Sequence, residues 1–155
     1  MDKLKFTPKS TMADYTIFYT DDDDDDLSIF TDAVESMPQK ITLQTYTGGD
    51  KLLHAISNNS SPAPYVVFLD LNMPGKNGFD VLEELRKSDS QKDIPVLIYS
   101  TSSEPGIIEK CRILGANGFI TKPVLMSDII KSIEHALQID WSKFIPTKSN
   151  FVLKY

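Results

Sequence analysis

The stretch Tyr65-Val66-Val67-Phe68-Leu69-Asp70-Leu71-Asn72-Met73-Pro74-Gly75-Lys76-Asn77-Gly78 decides the fold of this chain. Its first five residues are apolar, with β-branched and aromatic side chains in an unbroken run. That is the pattern of a strand covered on both faces, as parallel sheets require. The run ends on Asp70, and Met73 to Gly78 supplies turn residues before a helix predicted over Phe79 to Lys87.

Similar units lie on either side. Tyr15 to Thr20 reads as a short buried strand and runs into six consecutive aspartates, Asp21 to Asp26. Leu27, Ile29, Phe30, Ala33 and Val34 then recur at helical spacing, and Pro38 marks the end of that helix. Ile41 to Tyr46 alternates as a strand, Gly48-Gly49 reads as a turn, and Leu52, Leu53 and Ile56 suggest a second helix. After the Asn58 to Pro64 loop and the central stretch come a strand at Ile94 to Tyr99 and a helix at Ile107 to Leu114. A strand at Gly118 to Thr121 and a helix at Val124 to Ile139 complete the series. Five strands alternating with five helices through short connections predict right-handed crossovers, hence an α/β, (βα)5 doubly wound five-stranded parallel sheet of flavodoxin-like type. The expected organisation is an N-terminal extension over 1–13, one domain over 14–139 and a short tail over 140–155, with no output domain.

Composition narrows the function classes. The 155 residues are 41% hydrophobic and 25% charged, with a formal net charge of -6. An acidic chain lacks the basic footprint of a general nucleic-acid or anionic-membrane binder. No apolar run reaches the ~18 residues of a membrane span, and the expected location is the cytoplasm. A single cysteine, Cys111, excludes an internal disulfide and reads as a packed thiol; His54 and His135 form no ligand cluster.

In open parallel sheets, ligands bind beyond the carboxyl ends of the strands. Asp21 and Asp22 follow the first predicted strand, Asp70 the third, Ser100 the fourth and Lys122 the fifth. Carboxylates crowded at one edge repel, and a hard cation relieves them. Mg²⁺ suits a site with few carboxylates, several waters and a phosphate oxygen. One carboxylate would remain free to attack phosphorus and form an aspartyl phosphate. Lys122 and the Ser100 hydroxyl would stabilise charge on the transferring group.

These residues resemble the response-regulator receivers of two-component signalling. Val66 to Gly78 is similar to the family's phosphoacceptor loop, Ile94 to Ser100 to its fourth strand and switch hydroxyl, and Gly115 to Pro123 to its last strand and lysine. The resemblance runs from about Tyr15 to Ile139. It implies that Asp70 is the phosphoacceptor, served by a sensor histidine kinase, a histidine phosphotransfer protein or a small phosphodonor. It implies Mg²⁺ held by Asp22, Asp70 and the backbone carbonyl of Asn72, with Asp21 alongside. Because of the aspartate run, Asp21 and Asp23 stay open as alternatives to Asp22, while Asp24 to Asp26 read as a solvated, helix-capping face. Ser100 and Phe119 would be the switch pair. The Lys122-Pro123 bond is expected to be cis. Downstream proteins would dock on the face of the fourth helix, fifth strand and fifth helix, where a homodimer would also form.

Departures from the family pattern are Ser100 for a commoner threonine, Phe119 without a phenol, and a bulkier Thr101 that would restrict access to the phosphorylated site. Two rival functions share the pattern. An aspartyl-phosphate phosphohydrolase needs an acid/base aspartate two residues after the nucleophile, where this chain has Asn72. A pseudo-receiver, a binding module without phosphorylation, is opposed by the full set Asp21, Asp22, Asp70, Ser100 and Lys122. A DNA-binding regulator would need a helix-turn-helix, for which no residues remain after Ile139.

Overall fold

The computed structural model describes residues 14–58 and 62–155; the predicted extension over 1–13 lies outside them. In chain order the elements are β1 (Asp14–Thr20), α1 (Asp24–Glu35), β2 (Lys40–Tyr46), α2 (Gly49–Asn58), β3 (Val66–Leu69), α3 (Gly78–Lys87), β4 (Val96–Ser100), α4 (Pro105–Ile113), β5 (Gly118–Thr121) and α5 (Met126–Gln138). The five strands form one sheet in the order β2-β1-β3-β4-β5, and every pairing is parallel. The order reverses between β1 and β3, which places the switch point beside the ends of those two strands.

The continuous apolar strands are explained by two cores. One face buries Ile17, Tyr19, Val66, Phe68 and Leu97 against α1 and α5. The other buries Phe18, Val67, Leu69, Val96, Ile98 and Phe119 with residues of α2, α3 and α4. All four residues of β3 are fully buried, each stabilising the fold by roughly 1.5–3 kcal/mol. Cys111 is packed in the second core, where burial pushes its thiol up to about 11.

Local chemistry moves several boundaries. β4 begins at Val96 because Pro95, just before it, has no N–H for a ladder. Gly49 opens α2 rather than belonging only to a turn. α5 begins at Met126, not Val124: Val124 and Leu125 lie exposed in the turn after Pro123. The expected cis bond at Lys122-Pro123 is corrected, since the described residues contain no cis peptide. The trans form, which X–Pro bonds favour by about 0.5–1 kcal/mol, serves this turn.

The tail is part of the folded body. Trp141, Phe151 and Leu153 are buried, and Val152 makes a parallel bridge to Phe119 at the outer edge of β5.

Candidate functional site

The acidic site is built from the ends of β1, β3 and β5. β1 ends at Thr20, and the chain turns into α1 through Asp23, whose side chain accepts from the Asp25 and Asp26 backbone N–H groups at 2.8 and 3.2 Å. This N-cap engages Asp23 Oδ1. Asp21 is fully buried. Its Oδ2 accepts from the Tyr19 hydroxyl at 2.6 Å, and its Oδ1 accepts from the Asp23 backbone N–H at 3.0 Å. Asp22 is exposed beside it.

Asp70 follows β3 directly. Its backbone N–H donates to the Thr20 carbonyl at 3.0 Å, tying the loop after β3 to the end of β1. The loop returns through Gly78, whose N–H donates to the Leu71 carbonyl at 3.0 Å. A Cβ at position 78 would stand 2.5 Å from the Asp70 carbonyl oxygen, so only glycine lets α3 begin this close to the acidic site. Asn77 and Asp80 form a capping box on that helix.

Carboxylate oxygens of Asp21, Asp22 and Asp70 lie within 4.8 Å of one another. Lys122 enters from the end of β5. Its Nζ donates to Asp21 Oδ2 at 2.7 Å and to Asp26 Oδ2 at 2.9 Å, and stands 3.5 Å from Asp70 Oδ1. The reading of Asp26 as part of a solvated face is therefore corrected. It sits half-buried in the first turn of α1, where its carboxylate meets Lys122. Burial works against the charge of Lys122, but its hydrogen bonds to Asp21 and Asp26 outweigh burial and hold it above the ordinary lysine range. Burial, with the charge of Asp21 next, pushes the Asp70 carboxyl up to about 6 despite Lys122.

Ser100 is fully buried at the end of β4, and its Oγ accepts from the Ser102 N–H at 3.2 Å. The Lys122 N–H donates to the Ser100 carbonyl at 2.8 Å, so hydroxyl and lysine are tied through backbone. Thr101 is exposed. Phe119 is fully buried one strand over, opposite Ile98. Beneath the acids lies an aromatic cluster that sequence reading did not single out. Tyr19, Phe30, Phe68 and Tyr99 pack with ring centroids 4.3–5.7 Å apart, and they orient the Tyr19 hydroxyl at Asp21. β1, β3 and β4 contribute one ring each, with Tyr99 touching the other two, and α1 adds Phe30 across them.

The donor set suits a hard divalent ion: three carboxylates converge, and the Asn72 carbonyl follows two residues after Asp70.

An open parallel sheet with clustered aspartates and one inward lysine at its carboxyl edge defines the receiver class of α/β domains. The sequence matches the response regulator receiver domain over residues 17–134, and the chain belongs to that family. Two-component response regulator ORR3 of Oryza sativa subsp. indica is 29% identical over 73% of this chain and 83% of its own length. ORR4 of the same subspecies is 40% identical over 47% of this chain, and there the match spans 32% of the relative's length. Among solved structures, the phosphorylated cyanobacterial phytochrome response regulator RcpA superposes with a TM-score of 0.73 at 26% identity, covering 86% of this chain and 98% of its own. Response regulator RPA3017 of red light signalling in R. palustris gives 0.75 at 25% identity, over 86% and 99%.

Proposed function

We propose that this chain is a phosphoacceptor response regulator that takes a phosphoryl group onto Asp70 and acts as a protein-binding switch or phosphorelay intermediate. One observation carries the reading. The Asp70 carboxylate is buried at the switch point of the sheet, among two further carboxylates and 3.5 Å from the Lys122 ammonium. In the reaction, an Asp70 carboxylate oxygen bonds to phosphorus as the P–N bond of a phosphohistidine donor breaks. The departing imidazole nitrogen keeps the electron pair and takes up a proton. With acetyl phosphate the P–O bond breaks instead and acetate leaves.

Mg²⁺ would be held by Asp22, Asp70 and the Asn72 carbonyl, with Asp21 alongside, and would offset charge on the transferring oxygens. Lys122, already shared among acids, supplies the matching positive charge from the other side. Ser100 donates its hydroxyl to the phosphoryl oxygens, and Phe119 repacks with it. The donor is a histidine kinase or phosphotransfer protein of the cytoplasm, and the output is protein binding rather than turnover of a substrate. Among the described residues, no helix is long and apolar enough to cross a membrane.

The test is intact-mass analysis after incubation with Mg²⁺ and acetyl phosphate or phosphoramidate, and with a histidine kinase as donor. A single phosphoryl adduct lost in Asp70→Asn and with chelator supports the reading. No adduct from any donor overturns it in favour of a pseudo-receiver.

A further inference from the structure

Residues 140–155 cross the outer edge of the sheet as an ordered strap. Its start is anchored on α5, where Trp141 is buried and donates from Nε1 to the Ala136 carbonyl at 3.1 Å. A turn follows, closed by Asn150, which donates from Nδ2 to the Ile145 carbonyl at 3.0 Å and accepts at Oδ1 from the Thr147 N–H at 2.6 Å. The chain then runs parallel to β5. Phe119 N–H donates to the Phe151 carbonyl at 2.9 Å, and Leu153 N–H donates to the Phe119 carbonyl at 2.9 Å. Phe151 is 1% exposed and Leu153 7%. A Cβ at Gly118 would stand 2.7 Å from Leu97 Cδ2, 3.3 Å from the Phe151 carbonyl oxygen and 3.4 Å from Leu153 Cδ2. Leu97 of β4 excludes a side chain at this position, and the strap passes within close contact of it.

β5 has four residues and one neighbouring strand, β4, on its inner side. Its outer edge would otherwise present unpaired peptide groups. The same short strand leads directly into Lys122, whose ammonium bridges Asp21 and Asp26. Thus β5 joins the cation of the acidic site to the one residue, Phe119, that the strap grips by both its peptide groups.

We propose that residues 151–153 are a releasable strap that holds β5 in its resting position, and that phosphorylation of Asp70 loosens it. This rests on the phosphoacceptor reading above. A phosphoryl group on Asp70 brings new anionic oxygens beside Lys122 and draws its ammonium away from Asp26. The Lys122 backbone shifts with it, and Phe119 follows along the strand. The two strap hydrogen bonds then lose their geometry. Binding linkage makes the coupling reciprocal: a docked strap opposes phosphorylation by the factor with which phosphorylation opposes docking.

The experiment is hydrogen exchange on the full chain in Mg²⁺, with and without beryllofluoride, while adduct occupancy is followed by fluorine NMR. The expected result is at least a tenfold loss of protection in peptides covering 149–155, with α3 peptides unchanged. Leu153→Pro removes the N–H donated to Phe119 and should take up phosphoryl from acetyl phosphate at least threefold faster than the parent. If that variant does not fold, the exchange comparison on the parent decides alone. A fully formed adduct with unchanged protection at 149–155 overturns the strap while leaving the phosphoacceptor reading intact. Failure to form any adduct, by fluorine NMR or by mass, overturns both.

Discussion

Lys122 Nζ sits 2.7 Å from Asp21 Oδ2, an ion pair between side chains only 11% and 1% exposed. Asp21 also holds the Tyr19 hydroxyl, and Lys122 also holds Asp26, so one buried pair joins β1, α1 and β5. Removing one partner leaves the other's charge buried without compensation.

Lys122→Met is therefore expected to lower stability by about 3 kcal/mol. For a chain of this length that is a fall in Tm of roughly 6–12 °C. Millimolar Mg²⁺ should recover part of it by neutralising the acids. Calorimetry with and without the ion checks both, and an unchanged Tm would show that the pair is dispensable.

Tyr19→Phe keeps the aromatic packing and deletes the donor to Asp21. A buried acceptor that loses a hydrogen bond costs about 1–3 kcal/mol. Urea unfolding should show that loss, together with weaker Mg²⁺ affinity in titrations followed by Trp141 or tyrosine fluorescence. Equal midpoints for variant and parent would argue that water replaces the phenol.

Gly78→Ala drives a methyl group to 2.5 Å from the Asp70 carbonyl oxygen and 2.9 Å from Leu71 Cα. Both are backbone atoms, so the loop after β3 must move. Phosphoryl uptake from acetyl phosphate should drop at least tenfold, with a stability loss of roughly 1–3 kcal/mol. Parent-like uptake would mean the loop has slack that the close packing does not suggest.

Cys111 sets a pH dependence. Its folded value, about 11, lies above the ordinary thiol value because burial disfavours the thiolate. The stability this represents is complete below about pH 9 and disappears as pH rises toward 11. By pH 10 the parent should have lost roughly 1 kcal/mol from this group. Tyr19 and Tyr99 are also raised and add to the fall above pH 10. Urea midpoints at pH 8 and 10 should differ less in Cys111→Ala than in the parent; parallel pH slopes would refute the assignment.

Thr101 is exposed directly after the buried Ser100, and the role proposed for it is to shield a phosphoryl group on Asp70 from water. Thr101→Ala should shorten the phosphoryl lifetime severalfold, measured by the decay of the intact-mass adduct. Equal lifetimes would remove the role.

Much of this protein was legible in its sequence. Apolar runs such as Val66 to Leu69 can be satisfied only inside a sheet covered on both faces, and their alternation with helices fixed the parallel topology. The polar residues ending four of those runs were expected at one edge, and those of three strands, Asp21 and Asp22 after β1, Asp70 after β3 and Lys122 after β5, converge there. The aspartate run was the ambiguous part. Six identical side chains carry no local signal of which one faces the sheet, which caps α1 and which meets a cation. Tertiary structure divided them: Asp21 inward to Tyr19 and Lys122, Asp23 to the helix cap, and Asp26 across to Lys122.

The tail shows the same division of information. Trp141, Phe144, Phe151 and Tyr155 marked 140–155 as aromatic, which left open whether the tail packs on the domain or binds a partner. Composition and periodicity determined the layers, the strand order's parallel sense and the chemistry at the strand ends, because those follow from local spacing and from burial. Which aspartate meets Lys122, which rings surround Tyr19, and that the tail grips Phe119 were decided only in three dimensions. These are contacts between segments up to a hundred residues apart, selected by charge pairing and close packing that no local pattern encodes.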